Sequence, residues 1–575
     1  MADSKLTGYK LPIDPTRQQG TIAQGFVTPR QDRIPQIQKI PPKRVLPIIF
    51  IPGIMGSNLR MTPARQRQLE LKSNIAWRPD HTKVTIAQSN DSEAERQLRL
   101  DPEATELDTY DPEANPTGNP GETADDRNSE VRITFIYSAI RHLGGPMLES
   151  DLPGAPNPKT KDKKARERGW GEVYFSSYYE ILALCEENLN AAFDGGNMET
   201  YLRRYVSEVS PEKWKATKTP SLNELNEKII RNIVKGCWFP VHAMGYNWLK
   251  GNSVSGTIIA DRIKNIIKQY QDQGFECEKV ILVTHSMGGL VARAAIHPEM
   301  GNIKDKVLGI VHGVMPAIGA GTAYKRVRCG FEGSGIPVRV LGNTGPKVTA
   351  VLANAQGGLE LLPSQAYGNN WLQVTQHGKN VKSLPEKGDP YEEIYKVRNK
   401  WYGLLREDWI NPAHIFGAGF KRTCALLDRA KDFHNSIEST YHDQSYAHYG
   451  ADSNRMAWHK VIWDIDKNAN VNSIDRLTII EDDEKGKLQM LDPALPNTKN
   501  KSPPNFSIKL LDAADPGDQT VPLHSADAQL RSGKFKGIFR QTGYEHQSSY
   551  GDPAVLAATL YSLLQIAATM KWSKK

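Results

Sequence analysis

The chain has 575 residues, of which 39% are hydrophobic and 24% charged, and its formal net charge is +8 at pH 7. This length exceeds one ordinary core, so one large decorated domain or two to three modules are expected. The positive charge is not gathered in an arginine-rich run with interleaved aromatic residues, which argues against a nucleic-acid-binding protein. The five cysteines are scattered without a C-x-x-C pair, so neither a disulfide framework nor a metal site is indicated, and no cofactor is expected.

The sequence predicts a soluble protein that is made in the cytoplasm. Its first ten residues contain no apolar segment of the kind found in signal peptides. No stretch reaches the roughly 18 to 20 apolar residues that a membrane-spanning helix needs. The longest apolar candidate, residues 555–570, contains interspersed polar side chains and predicts a buried helix.

The first structured segment is predicted to begin at residue 45. Residues 1–44 are polar and rich in proline, glutamine and arginine, so they predict an extended or partly disordered arm. The apolar run at 45–51 indicates a central parallel strand and leads into the loop Pro-Gly-Ile-Met-Gly-Ser at 52–57. A glycine-bearing loop after an early strand can aim a backbone N–H at a developing oxyanion, and Ile54 is the expected donor.

The following 160 or so residues predict an insertion on the sheet. Residues 61–221 are polar, with acidic, basic and proline-glycine stretches typical of surface loops and helices. Helical patterns are predicted at about 176–193 and 222–235, and a strand candidate follows at 237–248. A further amphipathic helix is predicted at about 255–273, directly before the most informative stretch of the chain.

That stretch is an apolar run ending in Thr-His-Ser-Met-Gly-Gly at 284–289, with a helical pattern immediately after it. A strand, a sharp turn and a helix form a nucleophile elbow, in which a serine hydroxyl projects from the turn. Ser286 is the predicted nucleophile, Gly288 allows close approach of the helix, and the Met287 N–H is the second expected oxyanion donor. Thr284 replaces the first glycine of the usual G-x-S-x-G pattern, so a plain strand-to-helix turn is the alternative.

The alternation of strands and helices continues and is then interrupted. Residues 307–311 indicate the next strand, and the spacing predicts a mostly parallel sheet flanked by helices. Residues 317–505 are glycine-rich and then aromatic and irregular, which predicts a cap or lid whose aromatic side chains shelter acyl chains or form its own core. The sheet is expected to resume at 506–511, and a strand at 535–540 and a helix at 553–570 complete it.

Two later loops supply partners for the serine. A serine hydroxyl needs a base to take its proton, and the base needs a carboxylate to fix its tautomer. In hydrolases of this type the three residues occur in the order Ser, Asp, His. Here Asp518 follows one predicted strand and His546 follows the next. All three candidates therefore lie at carboxyl ends of strands, where open parallel sheets place their ligands.

Other residues near these loops are weaker candidates. Asp512 and Asp515 share the loop of Asp518, but Gly517 and the extended Thr-Val-Pro that follows Gln519 favour Asp518. His524 follows the acid too soon to belong to the next strand's loop. For two more histidines close to the elbow, packing or support of the site is expected; these are His285 and His312.

Three motifs resemble the lecithin–cholesterol acyltransferase and GPI-deacylase branch of the α/β hydrolases: Pro-Ile-Ile-Phe-Ile-Pro-Gly-Ile-Met-Gly-Ser at 47–57, Thr-His-Ser-Met-Gly-Gly at 284–289, and Gly-Asp-Gln-Thr-Val-Pro at 517–522. The middle of the chain, with Gly-Ala-Gly-Thr-Ala-Tyr-Lys-Arg at 319–326 and Gly-Gly-Leu-Glu-Leu-Leu-Pro at 357–363, is similar to bacterial type VI secretion lipase effectors of the fourth family. The resemblance implies a phospholipase or lipase that acts at a membrane surface. It also implies delivery by a spike or tube component into the periplasm of a rival cell, and an immunity protein in kin.

The expected fold class is therefore α/β, an α/β-hydrolase fold with large cap insertions. The expected enzyme is a carboxylic ester hydrolase with a Ser-Asp-His triad that forms an acyl-enzyme. The alternatives are a cytosolic esterase or acyltransferase of the same fold, and a catalytically inert binding module. The expected divisions are an arm at 1–44, a catalytic core at 45–60, 222–316 and 506–575, an insertion at 61–221, and a cap at 317–505.

Overall fold

The centre of the molecule is an all-parallel six-stranded sheet. The computed structural model describes residues 13–15, 21–26, 35–40, 42–109, 124–134, 147–151, 157–194, 196–467, 471, 473–493 and 505–573. The strands of the central sheet lie in the order Val241–Ala243, Ile48–Ile51, Val280–His285, Val307–Gly313, Ser445–Gly450 and Phe535–Gln541. The predicted parallel sheet is confirmed, and its strands are buried on both faces except for the edge strand Phe535–Gln541, where Lys536 is exposed.

Two strands are shorter than predicted because each contains a proline. The run at 45–51 is divided into Arg44–Val45 and Ile48–Ile51, and Pro47 between them has no N–H to donate to a ladder. The candidate at 237–248 is divided in the same way into Cys237–Trp238 and Val241–Ala243, on either side of Pro240. The two short segments before the prolines pair with each other as a separate parallel ribbon.

Three helices pack against the sheet or against each other. Helix Asn252–Asp272 buries Ile259, Ile263 and Ile267, which recur every four residues, so one apolar stripe faces the core. It packs against the elbow helix Gly288–Ile296. Helix Pro553–Ala567 packs against the inner strands of the sheet and is capped by the Asp552 carboxylate, which accepts two backbone N–H groups.

The remaining helices decorate this core. The predicted helix at 176–193 spans Phe175–Asn190, and the one at 222–235 spans Glu227–Val234. The other α-helices are Pro63–Gln68, Thr82–Gln88, Glu93–Arg99, Ala124–Arg127, Lys161–Glu167, Thr200–Tyr205, Gly321–Cys329, Ile336–Leu341, Gly345–Leu352, Gln356–Leu359, Glu407–Ile410, Phe420–Ile437, Leu523–Ala526 and Ala528–Arg531.

The expectation that the central sheet resumes at 506–511 is wrong. Strand Asn505–Leu510 lies in a second, mixed six-stranded sheet, in the order Lys379–Leu384, Leu372–Gln376, Val461–Ile465, Asn505–Leu510, Lys487–Leu491 and Thr478–Asp482. Its buried residues Phe506 and Ile508 lie opposite Met490 and Leu488 of the antiparallel neighbour. The central sheet takes its fifth strand instead from Ser445–Gly450, which lies inside the segment predicted to be a cap.

Smaller ribbons complete the described part of the chain. Within the predicted N-terminal arm, three segments form an antiparallel sheet, so their extended backbones are paired with each other. They are Ile13–Pro15, Thr21–Phe26 and Pro35–Ile40. The other small pairings join Leu59–Met61 with Ile75–Trp77 and Thr105–Leu107, Phe193–Asp194 with Asn197–Met198, and Asp452–Ala457 with Asp515–Gly517. Across the described residues, no helix is both long enough and apolar enough to cross a bilayer.

Candidate active site

Ser286 stands in the sharp turn between strand Val280–His285 and helix Gly288–Ile296. Its φ is 52°, a left-handed conformation that costs a non-glycine residue free energy and is characteristic of a nucleophile elbow. The turn is fixed by the Ser286 N–H, which donates to the carbonyl of Gly313 on the neighbouring strand at 2.8 Å. Thr284, which replaces the usual glycine, is fully buried, and its carbonyl accepts a hydrogen bond from the Tyr550 hydroxyl at 2.9 Å.

Two glycines allow backbone segments to approach this turn. A Cβ on Gly288 would lie 2.4 Å from the carbonyl oxygen of Ile51 and 2.5 Å from that of Pro52, so the predicted steric requirement is present. A Cβ on Gly53 would lie 2.9 Å from the Cβ of Ser286. The loop that follows the first central strand therefore passes directly beside the serine.

Ser286, His546 and Asp518 form one chain of hydrogen bonds. The Oγ of Ser286 lies 2.9 Å from Nε2 of His546, and Nδ1 of His546 lies 2.9 Å from Oδ2 of Asp518. All three side chains are buried. The distances suit transfer of the serine proton to the imidazole, with the carboxylate holding the ring in the tautomer that leaves Nε2 free to accept.

The carboxylate of Asp518 is fixed by the turn that contains it. Its Oδ1 accepts the N–H groups of Thr520 at 3.1 Å and Val521 at 2.7 Å, which leaves Oδ2 for the histidine. The backbone N–H of His546 also donates to the carbonyl of Asp518 at 3.0 Å, so the acid loop and the base loop are joined by main chain as well as side chain. Strand Ser445–Gly450 ends beside this turn, where a Cβ on Gly450 would meet the Cβ of Asp518 at 2.7 Å.

Asp452 joins the acid and base loops from the other side. It lies opposite Gly517 in a short antiparallel ribbon, and its Oδ2 accepts the N–H of Gly543 in the base loop at 2.9 Å. Asp452 was not predicted, because its strand lies in the segment predicted to be a cap. The signal that could have indicated it is its position two residues after the end of strand Ser445–Gly450.

His285, expected to pack or support the site, supports the base loop. One ring nitrogen, Nε2, lies 3.0 Å from the carbonyl oxygen of His546, and the other, Nδ1, lies 3.1 Å from the Tyr178 hydroxyl. Burial lowers the pKa of His285 to about 3, and it raises the pKa of Tyr178 to about 12. Both groups are therefore neutral at pH 7, which assigns the proton of His285 to Nε2 and the donor role in the second bond to Tyr178.

The loop at 52–57 is held on several sides. The Tyr178 oxygen accepts the N–H of Gly53 at 3.4 Å, the Tyr246 hydroxyl donates to the carbonyl of Pro52 at 2.9 Å, and Trp77 Nε1 donates to the carbonyl of Met55 at 2.7 Å. The N–H groups of Ile54 and Met287 make no backbone hydrogen bond to another described residue. Two amide donors beside the serine are thus available to a ligand. Tyr178, Tyr246 and Trp77 were not found from the sequence, since nothing in their local sequence relates them to a loop far away in the chain.

The rival residues lie away from the serine. Asp512 is exposed, and Asp515 accepts the N–H of Lys460 at 3.1 Å. His524 stacks on His459, with ring centroids 4.0 Å apart, and contacts the carbonyl of Tyr367. His312, also expected to pack or support, is a packing residue next to Phe535 and Tyr441, and neither of its ring nitrogens has a hydrogen-bond partner in the described chain.

No group of three or more His, Cys, Asp or Glu side chains arranged to hold a metal ion occurs among the described residues. All five cysteines lie in that part of the chain and none forms a disulfide; four of them are buried. The groups that the fold brings together at the site are the Ser286 hydroxyl, the His546 imidazole and the Asp518 carboxylate.

Comparisons with known proteins support the fold. The family model for the PGAP1-like alpha/beta domain matches residues 245–324, which contain the elbow. A chain of a solved structure, the crystal structure of the Tle4–Tli4 complex, is 29% identical, with a TM-score of 0.70 over 92% of this chain and 99% of that chain. No curated protein matches the sequence significantly.

Both comparisons agree with the resemblances drawn from the motifs, to the GPI-deacylase branch at the elbow and to the fourth family of type VI lipase effectors over most of the length. The chain has an α/β-hydrolase fold, and the part of it that contains the elbow is similar to the PGAP1-like alpha/beta domain.

Proposed function

We propose that this protein is a serine hydrolase that cleaves carboxylic esters of membrane lipids through an acyl-enzyme, and that it serves as an antibacterial type VI secretion effector. The observation that carries the catalytic part is the hydrogen-bond chain from Asp518 through His546 to Ser286, with both distances at 2.9 Å. The match over most of the chain to a structure of the Tle4–Tli4 complex supports the effector part.

In the acylation step, Ser286 Oγ attacks the ester carbonyl as His546 Nε2 takes the hydroxyl proton. The carbonyl oxygen becomes negatively charged, and the N–H groups of Ile54 and Met287 donate to it. Collapse of the tetrahedral intermediate breaks the ester C–O bond, and His546 returns the proton to the leaving alcohol. Asp518 stabilises the imidazolium and keeps Nδ1 protonated throughout.

In the deacylation step, water takes the place of the alcohol. His546 removes a proton from the water, which attacks the acyl carbon of the ester on Ser286. The same two amide donors hold the second oxyanion, and the fatty acid leaves as the serine regains its proton. The loop at 52–57 is fixed before substrate arrives by Tyr178, Tyr246 and Trp77, so its donors need little reorganisation in the transition state.

The proposed setting follows from the similar solved structure and from the motif resemblance. That chain was solved in a complex of Tle4 with Tli4, so we propose a cognate immunity protein for this chain as well. Delivery would use a spike or tube component of the type VI machine, and the lipid substrate would be met in the periplasm of the target cell.

A defined phospholipid assay tests the enzymatic part. Purified protein, incubated with phospholipid carrying different acyl chains at sn-1 and sn-2, should release a fatty acid and a lysophospholipid. Added alcohol acceptors distinguish the alternative acyltransferase, because that enzyme would form acyl esters of the acceptor in preference to free fatty acid. Release of neither product from phospholipid or simple esters would contradict the proposal.

A toxicity assay tests the effector part. Wild-type protein directed to the periplasm of a bacterial host should arrest growth, whereas the same protein in the cytoplasm, and Ser286→Ala in the periplasm, should not. Toxicity confined to the cytoplasm would favour a cytosolic esterase instead.

A further inference from the structure

Phe416 is the one large hydrophobic side chain of the described residues that is 100% exposed. Single exposed apolar side chains are common on soluble proteins and by themselves indicate nothing. Phe416 differs because the loop that presents it is rigidly built. Asn411 accepts the N–H of Ile415 at 2.8 Å and donates to the carbonyl of Ile415 at 3.0 Å, and the N–H of Ala418 donates to the same carbonyl at 3.1 Å. These hydrogen bonds hold the backbone on both sides of Phe416 while its side chain is exposed to solvent.

Two other exposed apolar side chains lie on a pair of neighbouring helices. Ile336 is 42% exposed and Ile86 is 46% exposed, and the helices that carry them, Ile336–Leu341 and Thr82–Gln88, pack against each other. We call the exposed side chains of Ile86, Ile336 and Phe416, with the surface between them, the apolar surface.

Helix Glu93–Arg99 holds the pieces of the apolar surface together. The buried guanidinium of Arg96 donates to the carbonyl of Val340 at 2.8 Å and to that of Leu341 at 3.1 Å, at the end of the helix that begins with Ile336. The next residue, Gln97, donates to the carbonyl of Ile410 at 3.3 Å and accepts the N–H of Ala413 at 2.9 Å, three residues before Phe416. Adjacent buried side chains thus fix both segments to one helix.

Exposed cations accompany the three apolar side chains. Lys83, Arg339 and Lys421 are exposed and occur on the three segments that supply Ile86, Ile336 and Phe416. None of these three cations forms a salt bridge with another described residue. Arg422 is matched by Glu103, at 3.7 Å. Apolar side chains among unpaired cations are the combination that binds the interface of an anionic bilayer, since the side chains enter the acyl boundary while the cations meet phosphate groups.

The apolar surface is also connected to the catalytic acid loop. Arg326 donates to Thr520 Oγ1 at 3.1 Å, and the N–H of Thr520 is one of the two that hold Asp518. The same guanidinium pairs with Glu332 at 2.9 Å, four residues before Ile336. A short path through one salt bridge therefore joins the acid loop to a segment of the apolar surface.

We propose that the apolar surface docks this protein on anionic phospholipid membranes, with Phe416 inserted at the acyl boundary. The proposal rests on the proposed function, because an enzyme that acts on membrane lipids must bind the bilayer that contains them. Three separated apolar side chains with exposed cations fit a lipid surface better than a protein partner, whose interface needs a larger continuous area.

Vesicle sedimentation tests the proposal. The protein carries Ser286→Ala in this experiment so that lipids stay intact, and vesicles contain phosphatidylethanolamine with phosphatidylglycerol, or phosphatidylcholine alone. Phe416→Ser should lower the partition coefficient on the anionic vesicles about tenfold or more. Ile258→Ser, at an isoleucine that is 50% exposed on helix Asn252–Asp272, is the matched control and should leave binding unchanged. Replacing Lys83, Arg339 and Lys421 by Gln together should weaken binding to anionic vesicles and reduce its salt dependence, with little effect on phosphatidylcholine.

Hydrolysis of a water-soluble ester by protein with an intact Ser286 separates the two proposals. Phe416→Ser should hydrolyse it at the parent rate, which also shows that the variant is folded. Equal vesicle binding by Phe416→Ser and its parent, or no binding by the parent, would overturn the docking proposal and leave the esterase proposal standing. Absence of ester hydrolysis in the parent would instead defeat the proposed function, whatever the vesicles show.

Discussion

His285 contacts the backbone of His546, with Nε2 of the first 3.0 Å from the carbonyl oxygen of the second. His285, which directly precedes the proposed nucleophile Ser286, therefore fixes the backbone of His546, the proposed base. Because His285 also binds Tyr178, which in turn accepts the N–H of Gly53, one small network joins the elbow, the base loop and the oxyanion loop. Its hydrogen bonds hold the backbone of the base loop and of the oxyanion loop against the elbow.

Removing His285 should therefore lower turnover more than substrate affinity. His285→Leu deletes both hydrogen bonds and frees the base loop, and a shift of the imidazole by a fraction of an ångström should lower kcat by about 10- to 100-fold with a small change in KM. Steady-state kinetics on a soluble ester measures the two constants. His312→Leu is the control, since His312 is equally buried on the next strand but has no hydrogen bond to the site. Equal kinetics for both variants would contradict the positioning role.

Asp518→Asn should lower kcat severely, although asparagine has nearly the same shape as aspartate. The aspartate uses one oxygen for the N–H groups of Thr520 and Val521 and the other for His546. An asparagine has one oxygen, and if this stays in the turn, its NH₂ faces Nδ1 and favours the tautomer that has its proton on Nε2. We expect kcat to fall by about 10³- to 10⁴-fold, the scale known for such a substitution in a serine protease. Kinetics with thermal melting checks this, and a loss below tenfold in a folded variant would argue against Asp518 as the orienting acid.

Gly53→Ala should damage the site by steric contact. The added methyl would lie 2.9 Å from both the Cβ of Ser286 and Nδ1 of His285, so the loop with the Ile54 N–H must move away from the serine. We expect an activity loss of about 10- to 100-fold. Gly551→Ala is the matched control, because its methyl would meet only the mobile end of Glu180, at 3.1 Å. Activity close to wild type in Gly53→Ala would place the oxyanion donors elsewhere.

Acid should destabilise this protein through its buried histidines. Burial lowers the pKa of His312 to about 3, against about 6.5 in the unfolded chain. Between these values the unfolded chain binds more protons, so the free energy of unfolding falls as pH drops from 6.5 towards 3 and is unaffected above 6.5. His312→Leu should remove about 2 to 3 kcal/mol of the loss between pH 7 and pH 4.5.

Denaturant unfolding at the two pH values measures this loss. The exposed His414→Gln serves as control and should show the same pH dependence as the parent. An unchanged pH dependence in His312→Leu would show that His312 does not contribute to acid instability.

Ser286 and His546 could be placed from sequence because each follows a strand of the central parallel sheet, Val280–His285 and Phe535–Gln541. Loops at the carboxyl ends of such strands converge whatever lies between them, so these two residues were predictable across a separation of 260 positions. The same reasoning found the loop of Ile54. Asp518 follows Asp515–Gly517, which pairs with Asp452–Ala457 outside that sheet, so its order in the chain and the sequence of its turn predicted it, and not a strand of the central sheet.

The strand Ser445–Gly450 could not be found in this way. Its sequence, Ser-Tyr-Ala-His-Tyr-Gly, lacks the β-branched run that marked the other inner strands, and it lies within an irregular, aromatic segment. The strand Asn505–Leu510 has the expected alternation, but alternation does not tell which sheet a strand joins. Tyr178 was missed for a related reason, since it reaches His285 from a helix 107 residues earlier in the chain.

Labelling by a fluorophosphonate probe tests the central claim most directly, since such probes react only with an activated serine. We predict that the wild-type protein is labelled at Ser286, and that Ser286→Ala loses both labelling and ester hydrolysis while its thermal unfolding is unchanged. Hydrolysis retained by purified Ser286→Ala, or labelling at another serine, would contradict the account.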